Sequence, residues 1–169
     1  MLHRIVAPLV LLIVPVFAGL PAQAEDEVEW SLHDATTAPG ILHRAMICPD
    51  ADEETGNMFC LSLGCQVEEP LAWHLYFAGR IVLPEARTIQ FRVDDTEYAV
   101  IDLTRLPGPE MQYTAIYDPA RDAGLVDHMR RGTRGVVVIT AVATHHRPFA
   151  LAGADRAFDT VMNRCPVAE

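Results

Sequence analysis

Phe59-Cys60-Leu61-Ser62-Leu63-Gly64-Cys65 decides how the rest of the chain is read. Side chains alternate across an extended chain, so Phe59, Leu61 and Leu63 share one face while Cys60 and Ser62 take the other. That pattern marks a strand with one face in a core. The stretch also holds two of the four cysteines. It therefore ties the centre of the fold to whatever carries the other two.

Towards the C-terminus, Gln66-Val67-Glu68-Glu69-Pro70 breaks the chain before its clearest period-two run. Leu71, Trp73, Leu75 and Phe77 fall on one face of that run, and Ala72, His74, Tyr76 and Ala78 on the other. Further on, Ile89, Phe91 and Val93 alternate with Gln90 and Arg92. Asp94-Asp95 supplies turn chemistry, and Tyr98 to Leu103 reads as the returning strand of a hairpin. Leu106-Pro107-Gly108-Pro109 interrupts again before Met111, Tyr113, Ala115 and Tyr117 alternate. On the N-terminal side, Val28, Trp30 and Leu32 suggest a short strand and Ala35 to Gly40 a loop. Ile41 to Cys48 is an extended segment of ambiguous facing. About six short extended segments at this spacing predict a mainly β (α+β) domain, an antiparallel β-sandwich or open barrel.

Two helices interrupt the strands. The first opens at Asp118-Pro119, with Asp as cap and Pro in the first turn, and closes at Gly132 after Arg130-Arg131, which suit the negative end of the helix dipole. Its apolar stripe of Leu125, Val126 and Met129 is narrow and predicts a surface helix. Gly135 then leads into Val136 to Val142, a β-branched run that reads as a strand covered on both faces. In the C-terminal helix, Ala154, Ala157, Phe158, Val161, Met162 and Cys165 recur at helical spacing, the stripe of a helix docked on a core. Pro166 stops it, with Cys165 delivered to the buried side.

Four cysteines permit three complete pairings, and spacing alone does not choose among them. Facing favours Cys65 with Cys165 and Cys48 with Cys60, since Cys65 shares parity with the core residues and Cys60 does not. A bulge at Gly64 would reverse that facing. With no Cys-x-x-Cys pair and no nearby His, cystine is preferred over zinc. The acidic stretch Pro49 to Asn57 lacks the spacing of a calcium loop and reads as solvated.

The N-terminus places Met1-Leu2-His3-Arg4 before an apolar run from Ile5 to Ala18, followed by Ala22-Gln23-Ala24. These are the parts of a signal peptide over residues 1–24, and the run, holding Pro8 and Pro15, is short of the roughly 20 residues a spanning helix needs. Residues 25–169 are then one exported domain, periplasmic or secreted in a bacterium, with no integral membrane segment after cleavage. The formal charge of the whole chain is -10, and loss of Arg4 makes it more negative. Nucleic acid is excluded as a partner on that balance. All 13 basic side chains are Arg, which rules out phosphate loops, Schiff-base enzymes and Ser-Lys dyads that need an amine. Ser31 and Ser62 are the only serines, and neither sits in Gly-x-Ser-x-Gly.

No catalytic, cofactor or metal constellation emerges. His145-His146 beside Arg147-Pro148 resembles a metal pair but reads as a solvated loop. Asp127 and His128, as helix neighbours, cannot face each other. The one groove the sequence suggests runs along Leu71 to Ala78, with Trp73, His74 and Tyr76 as its residues. The predicted function is a non-catalytic module binding an unknown protein or envelope component through a sheet face. The competing reading is a small hydrolase or metal-dependent enzyme with His74, His145 or His146 converging in a groove.

Phe59 to Cys65, taken with Phe149-Ala150-Leu151-Ala152-Gly153-Ala154-Asp155-Arg156-Ala157-Phe158, resembles the paired cysteines and terminal Phe-x-Leu-x-Gly-x-x-x-Ala-Phe/Leu signature of the invasion-associated locus B family. The resemblance implies an exported bacterial protein of β-sandwich type, linked to host-cell invasion and without a known catalytic residue. The chain departs from that pattern by carrying Cys165 after the last helix and a long insertion, Thr88 to Thr140, between the matching parts.

Overall fold

The structure, a computed structural model, describes residues 28–37, 40–49, 56, 58–78, 88–108, 111–140 and 144–168. Residues 1–27, with the expected signal peptide, and most of the acidic stretch after Pro49 lie outside the described residues. In chain order the elements are β1 (Ser31–Asp34), β2 (Ile41–Ile47), β3 (Met58–Gln66), β4 (Ala72–Ala78), β5 (Thr88–Val93), β6 (Thr96–Asp102), β7 (Thr104–Arg105), β8 (Met111–Ile116), α1 (Pro119–Arg131), β9 (Arg134–Thr140), β10 (Thr144–Ala150) and α2 (Ala154–Arg164). They form a six-stranded sheet in the order β1-β2-β3-β4-β8-β7 and a four-stranded sheet in the order β10-β9-β5-β6, with every pairing antiparallel. This is a mainly β, sandwich-like α+β fold.

The two sheets are joined at both flanks. Between β6 and β7 only Leu103 intervenes, so the chain passes there directly from the smaller sheet to the larger. On the other flank Trp30, just ahead of β1, donates its backbone N–H to the Ala152 carbonyl (2.8 Å) and its indole N–H to the Ala150 carbonyl (3.0 Å), closing against the end of β10. Both flanks are thus tied by backbone, which limits the free edges that a sandwich otherwise exposes.

β3 lies between β2 and β4, and alternation sends Phe59, Leu61, Leu63 and Cys65 inward, each almost fully buried. Ile89, Phe91 and Val93 of β5 and Val137 and Ile139 of β9 face them from the smaller sheet, all fully buried. Trp73 of β4 meets Phe91 at 5.2 Å between ring centroids. The stripe of α2 inserts against this core, with Phe158 edge-on to both Trp30 (4.7 Å) and Trp73 (6.4 Å). A side chain of that size, fully buried, contributes about 2 to 3 kcal/mol of hydrophobic stabilisation. Val136 of β9 is largely covered on its outward side, whereas Val138 is only half-buried, so that strand is sealed on one face and partly open on the other.

Disulfides join Cys65 to Cys165 (Cα–Cα 5.7 Å) and Cys48 to Cys60 (Cα–Cα 4.2 Å). The first pins the C-terminal end of α2 to β3. The second links β3 to the residue after β2, which stands opposite Cys60 because Ile47 pairs with Leu61. The irregularity in this part of the sheet lies in β2, between Ile41 and His43, and not at Gly64. Cys65 therefore keeps the inward parity of Leu63. Gly64 is needed for another reason: a Cβ there would stand 2.5 Å from the His43 carbonyl oxygen and 2.7 Å from the Arg44 Cα. Since both are backbone atoms in a paired strand, Gly64→Ala is expected to destabilise the protein by about 2 to 3 kcal/mol, read as a lower urea midpoint with unchanged slope.

One sequence reading is corrected here. His145-His146 do not sit in a loop but within β10, paired with Ile139 and Val138 of β9. The Val-rich β9 has β5 on one side and takes β10 on the other, so its backbone groups are satisfied twice over. Pro148 is tolerated because β10 is an edge strand. The Phe149 ring covers Gly135, its cross-strand partner, at a spacing that leaves no room for a Cβ.

In α1 the Asp118 side chain accepts the Ala120 N–H (2.9 Å), Pro119 opens the first turn, and the Gly132 N–H returns to the His128 carbonyl (2.7 Å). The helix is nevertheless more deeply docked than its narrow stripe predicts. Asp122 is fully buried along with Leu125, Val126 and Met129.

Candidate functional site

The register of the larger sheet fixes what its outward face presents. Arg44 and Met46 of β2 stand beside Gly64 and Ser62 of β3, and Ser62 and Cys60 stand beside His74 and Tyr76 of β4. Thr114 and Gln112 of β8 continue the same two rows. All of these but Gly64 and Thr114 line a groove of about 230 Å³ on the side of β3 facing away from the core, bounded at one end by the Cys48–Cys60 disulfide.

His74 and Tyr76 line this groove, both half-buried. Trp73 does not, and its assignment to a groove is corrected. It is fully buried, and its indole N–H donates to Asp122 Oδ2 at 3.1 Å. Alternation makes this unavoidable, since neighbours on a strand point to opposite faces. Arg44 and Ser62 join the groove without having been singled out in the sequence.

Burial pushes the His74 imidazole down to about 4; the nearby Arg44 guanidinium acts in the same direction, and a hydrogen bond to the Gly64 carbonyl opposes both. The ring is therefore neutral at pH 7. Its Nε2 is buried without a hydrogen-bond partner, as is Arg44 Nε. Burial also pulls the Arg44 pKa down, while Glu69 holds it up, and a guanidinium stays charged under such shifts. The groove is thus lined by one cationic and one neutral side chain, with Arg44 Nε and His74 Nε2 themselves shielded from solvent. Ser62 stands opposite His74 across the strand pair, and it is a backbone carbonyl that orients the imidazole.

The low pKa of His74 has a consequence for stability. The folded value, about 4, lies below the ordinary 6.5 of an unfolded histidine. Above pH 6.5 both states are neutral; below it the unfolded chain takes up a proton that the folded chain refuses until about pH 4. Stability should therefore fall as pH drops through that window, by up to about 3 kcal/mol. The carboxylates held low in the fold, Asp34 and Asp94, contribute only below 3.8. Urea unfolding at pH 7.0 and 4.5 checks this, with His74→Gln expected to flatten the difference.

His146 is exposed on β10, on the outward side of the smaller sheet. It and His74 therefore face away from opposite sides of the sandwich and share no groove. The side chain of His145 lies outside the described residues. Among the described residues no group of three or more His, Cys, Asp or Glu is placed to hold a metal ion.

A second polar cluster was not visible in the sequence. The Tyr98 hydroxyl hydrogen-bonds His128 Nδ1 at 2.7 Å, and His128 Nε2 lies 3.7 Å from Asp94 Oδ2. Asp94, in the left-handed region at the β5–β6 turn, also accepts from the Thr133 N–H (3.2 Å), the Thr133 hydroxyl (2.7 Å) and the Arg134 N–H (3.1 Å). These bonds, led by the one from the Thr133 hydroxyl, hold its carboxyl below the usual range. The cluster clasps a hairpin turn to the end of α1 and joins residues some 30 to 40 positions apart, a spacing for which no local pattern exists.

No family model matches the sequence, and neither does any curated protein. A solved structure with a similar arrangement is found. It is the crystal structure of invasion associated protein B from Bartonella henselae, 14% identical, covering 72% of this chain and 85% of that chain with a TM-score of 0.46. The relationship is a distant structural one.

Proposed function

We propose that the chain is an exported, non-catalytic module that binds a protein or envelope component through the outward face of its six-stranded sheet. The observation that carries this reading is the groove on that face, lined by Arg44, Ser62, His74, Tyr76 and Gln112 beside the Cys48–Cys60 disulfide. A concave, mixed polar and aromatic patch on a sheet face suits a partner arriving from outside.

Export is supported by the leader-type N-terminus and by the engagement of all four cysteines in disulfides, which persist in oxidising compartments. The charge of -10 argues against nucleic acid and anionic lipid as partners. Among the described residues no helix is long and apolar enough to cross a membrane. The test is a pull-down from the native envelope with the mature protein, comparing wild type, Tyr76→Ala in the groove and His146→Ala on the other sheet. Capture kept by His146→Ala and lost from Tyr76→Ala supports the reading. Capture unaffected by Tyr76→Ala, or none by wild type, overturns it.

A further inference from the structure

The two disulfides lie in opposite surroundings. Cys65 and Cys165 belong to the core cluster, at 1% and 7% exposure, and a reagent reaches the bond between them only if the end of α2 lifts away. Cys48 and Cys60 are both half-buried and line the groove on the outward face of the larger sheet. Solvent leads to that link without any part of the core opening.

What each link holds together also differs. Cys165 caps the C-terminal end of α2 and fixes it to β3, so its release frees a helix whose Phe158 packs against Trp30 and Trp73. Cys48 lies one residue beyond β2, past the last pair of that ladder, Ile47 with Leu61. On its other side β3 stays paired with β4, from Met58 opposite Ala78 to Gly64 opposite Ala72. Opening Cys48–Cys60 therefore breaks no strand pairing. It also releases the shorter loop, of sequence separation 12 against 100, and with it the smaller gain in unfolded-chain entropy. The fold survives the loss of this bond.

We propose that Cys48–Cys60 is a thiol–disulfide exchange site open to an external dithiol, while Cys65–Cys165 stays closed as the structural link. A thiolate of the dithiol bonds to one of the two Sγ atoms, the S–S bond breaks, and the other cysteine leaves as a thiolate that takes a proton from water. The second thiol of the reagent, as its thiolate, then displaces the mixed disulfide. Two electrons have passed to the protein, both cysteines are thiols, and the dithiol is oxidised to its own disulfide. The product is a folded protein with a pair of thiols at one end of the groove. This exchange needs no partner in the groove.

The experiment treats the mature, oxidised protein under native conditions with dithiothreitol and, in a parallel arm, with reduced thioredoxin. Free thiols are trapped with iodoacetamide at timed intervals and located by peptide mass spectrometry. Label is expected at Cys48 and Cys60 at least about tenfold faster than at Cys65 and Cys165, as exposed disulfides are the labile ones. The protein labelled at the first pair alone should keep the near-ultraviolet circular dichroism of its tryptophans. Reaction with dithiothreitol alone supports exchange with a small dithiol, and reaction with both reagents supports exchange with a protein dithiol as well. Label at all four cysteines at one rate, label first at Cys65 and Cys165, or no label at Cys48 and Cys60 with either reagent overturns the proposal. So does loss of the tryptophan signal in protein labelled at Cys48 and Cys60 alone.

Discussion

Replacing Cys65 and Cys165 together by alanine is expected to destabilise the protein by about 4 to 5 kcal/mol, against about 3 for Cys48 and Cys60 together. The disulfides close loops of sequence separation 100 and 12, and the entropy withheld from the unfolded chain grows with the logarithm of that length. Both Cys65 and Cys165 are also nearly fully buried, so truncation at either adds a packing defect. Against a total stability of about 5 to 15 kcal/mol for an ordinary domain, that is a large share. Urea unfolding of the two double variants, both oxidised at the remaining pair, provides the comparison. Equal losses would mean that the long link contributes nothing beyond the short one.

Asp122→Ala is expected to lose a comparable amount, about 3 to 5 kcal/mol, because it removes the acceptor from a buried polar network. Asp122 takes hydrogen bonds from Trp73 Nε1 (3.1 Å), the Asp118 N–H (3.1 Å), Arg121 Nε (2.6 Å) and Arg121 Nη2 (2.8 Å). Arg121 remains partly exposed and can hydrate. The Trp73 indole cannot, since the ring is fully buried between the sheets. Asp122→Asn keeps acceptor oxygen at the site and should lose less. Near-ultraviolet circular dichroism should report the Trp73 change in the alanine variant before global unfolding. An alanine variant as stable as wild type, with an unaltered tryptophan signal, would contradict this role.

What could be read from the sequence was what one strand or helix states about itself. The parity of Phe59 to Cys65 and of Leu71 to Ala78 locates the inward faces of β3 and β4 without knowledge of their neighbours. It also separates His74 and Tyr76 from Trp73. The stripe of α2 and the cap at Asp118 are equally local. The Phe149 to Phe158 stretch has a plain physical reading: Phe149, Leu151, Ala154 and Phe158 are buried, and Gly153 adopts φ 76° where a Cβ would stand 2.7 Å from the Trp30 carbonyl oxygen.

The features that escaped depend on partners far along the chain. Arg44 belongs to the groove because an irregularity between Ile41 and His43 sets the facing of β2, which is why Ile41 to Cys48 read ambiguously. Asp122 is buried because a tryptophan 49 positions away reaches it. β10 looked like a loop because Pro148 and two histidines carry no strand signal, and only β9 beside it supplies one. β7, two residues long, has no period to detect.

The most direct measurement places a photo-crosslinking phenylalanine derivative at Tyr76 in the groove or at His146 on the opposite sheet, in mature protein incubated with native envelope. Crosslinked partner is expected from position 76 and not from position 146. Crosslinking from position 146 alone, or equally from both, would contradict a binding face built on the outward side of β3.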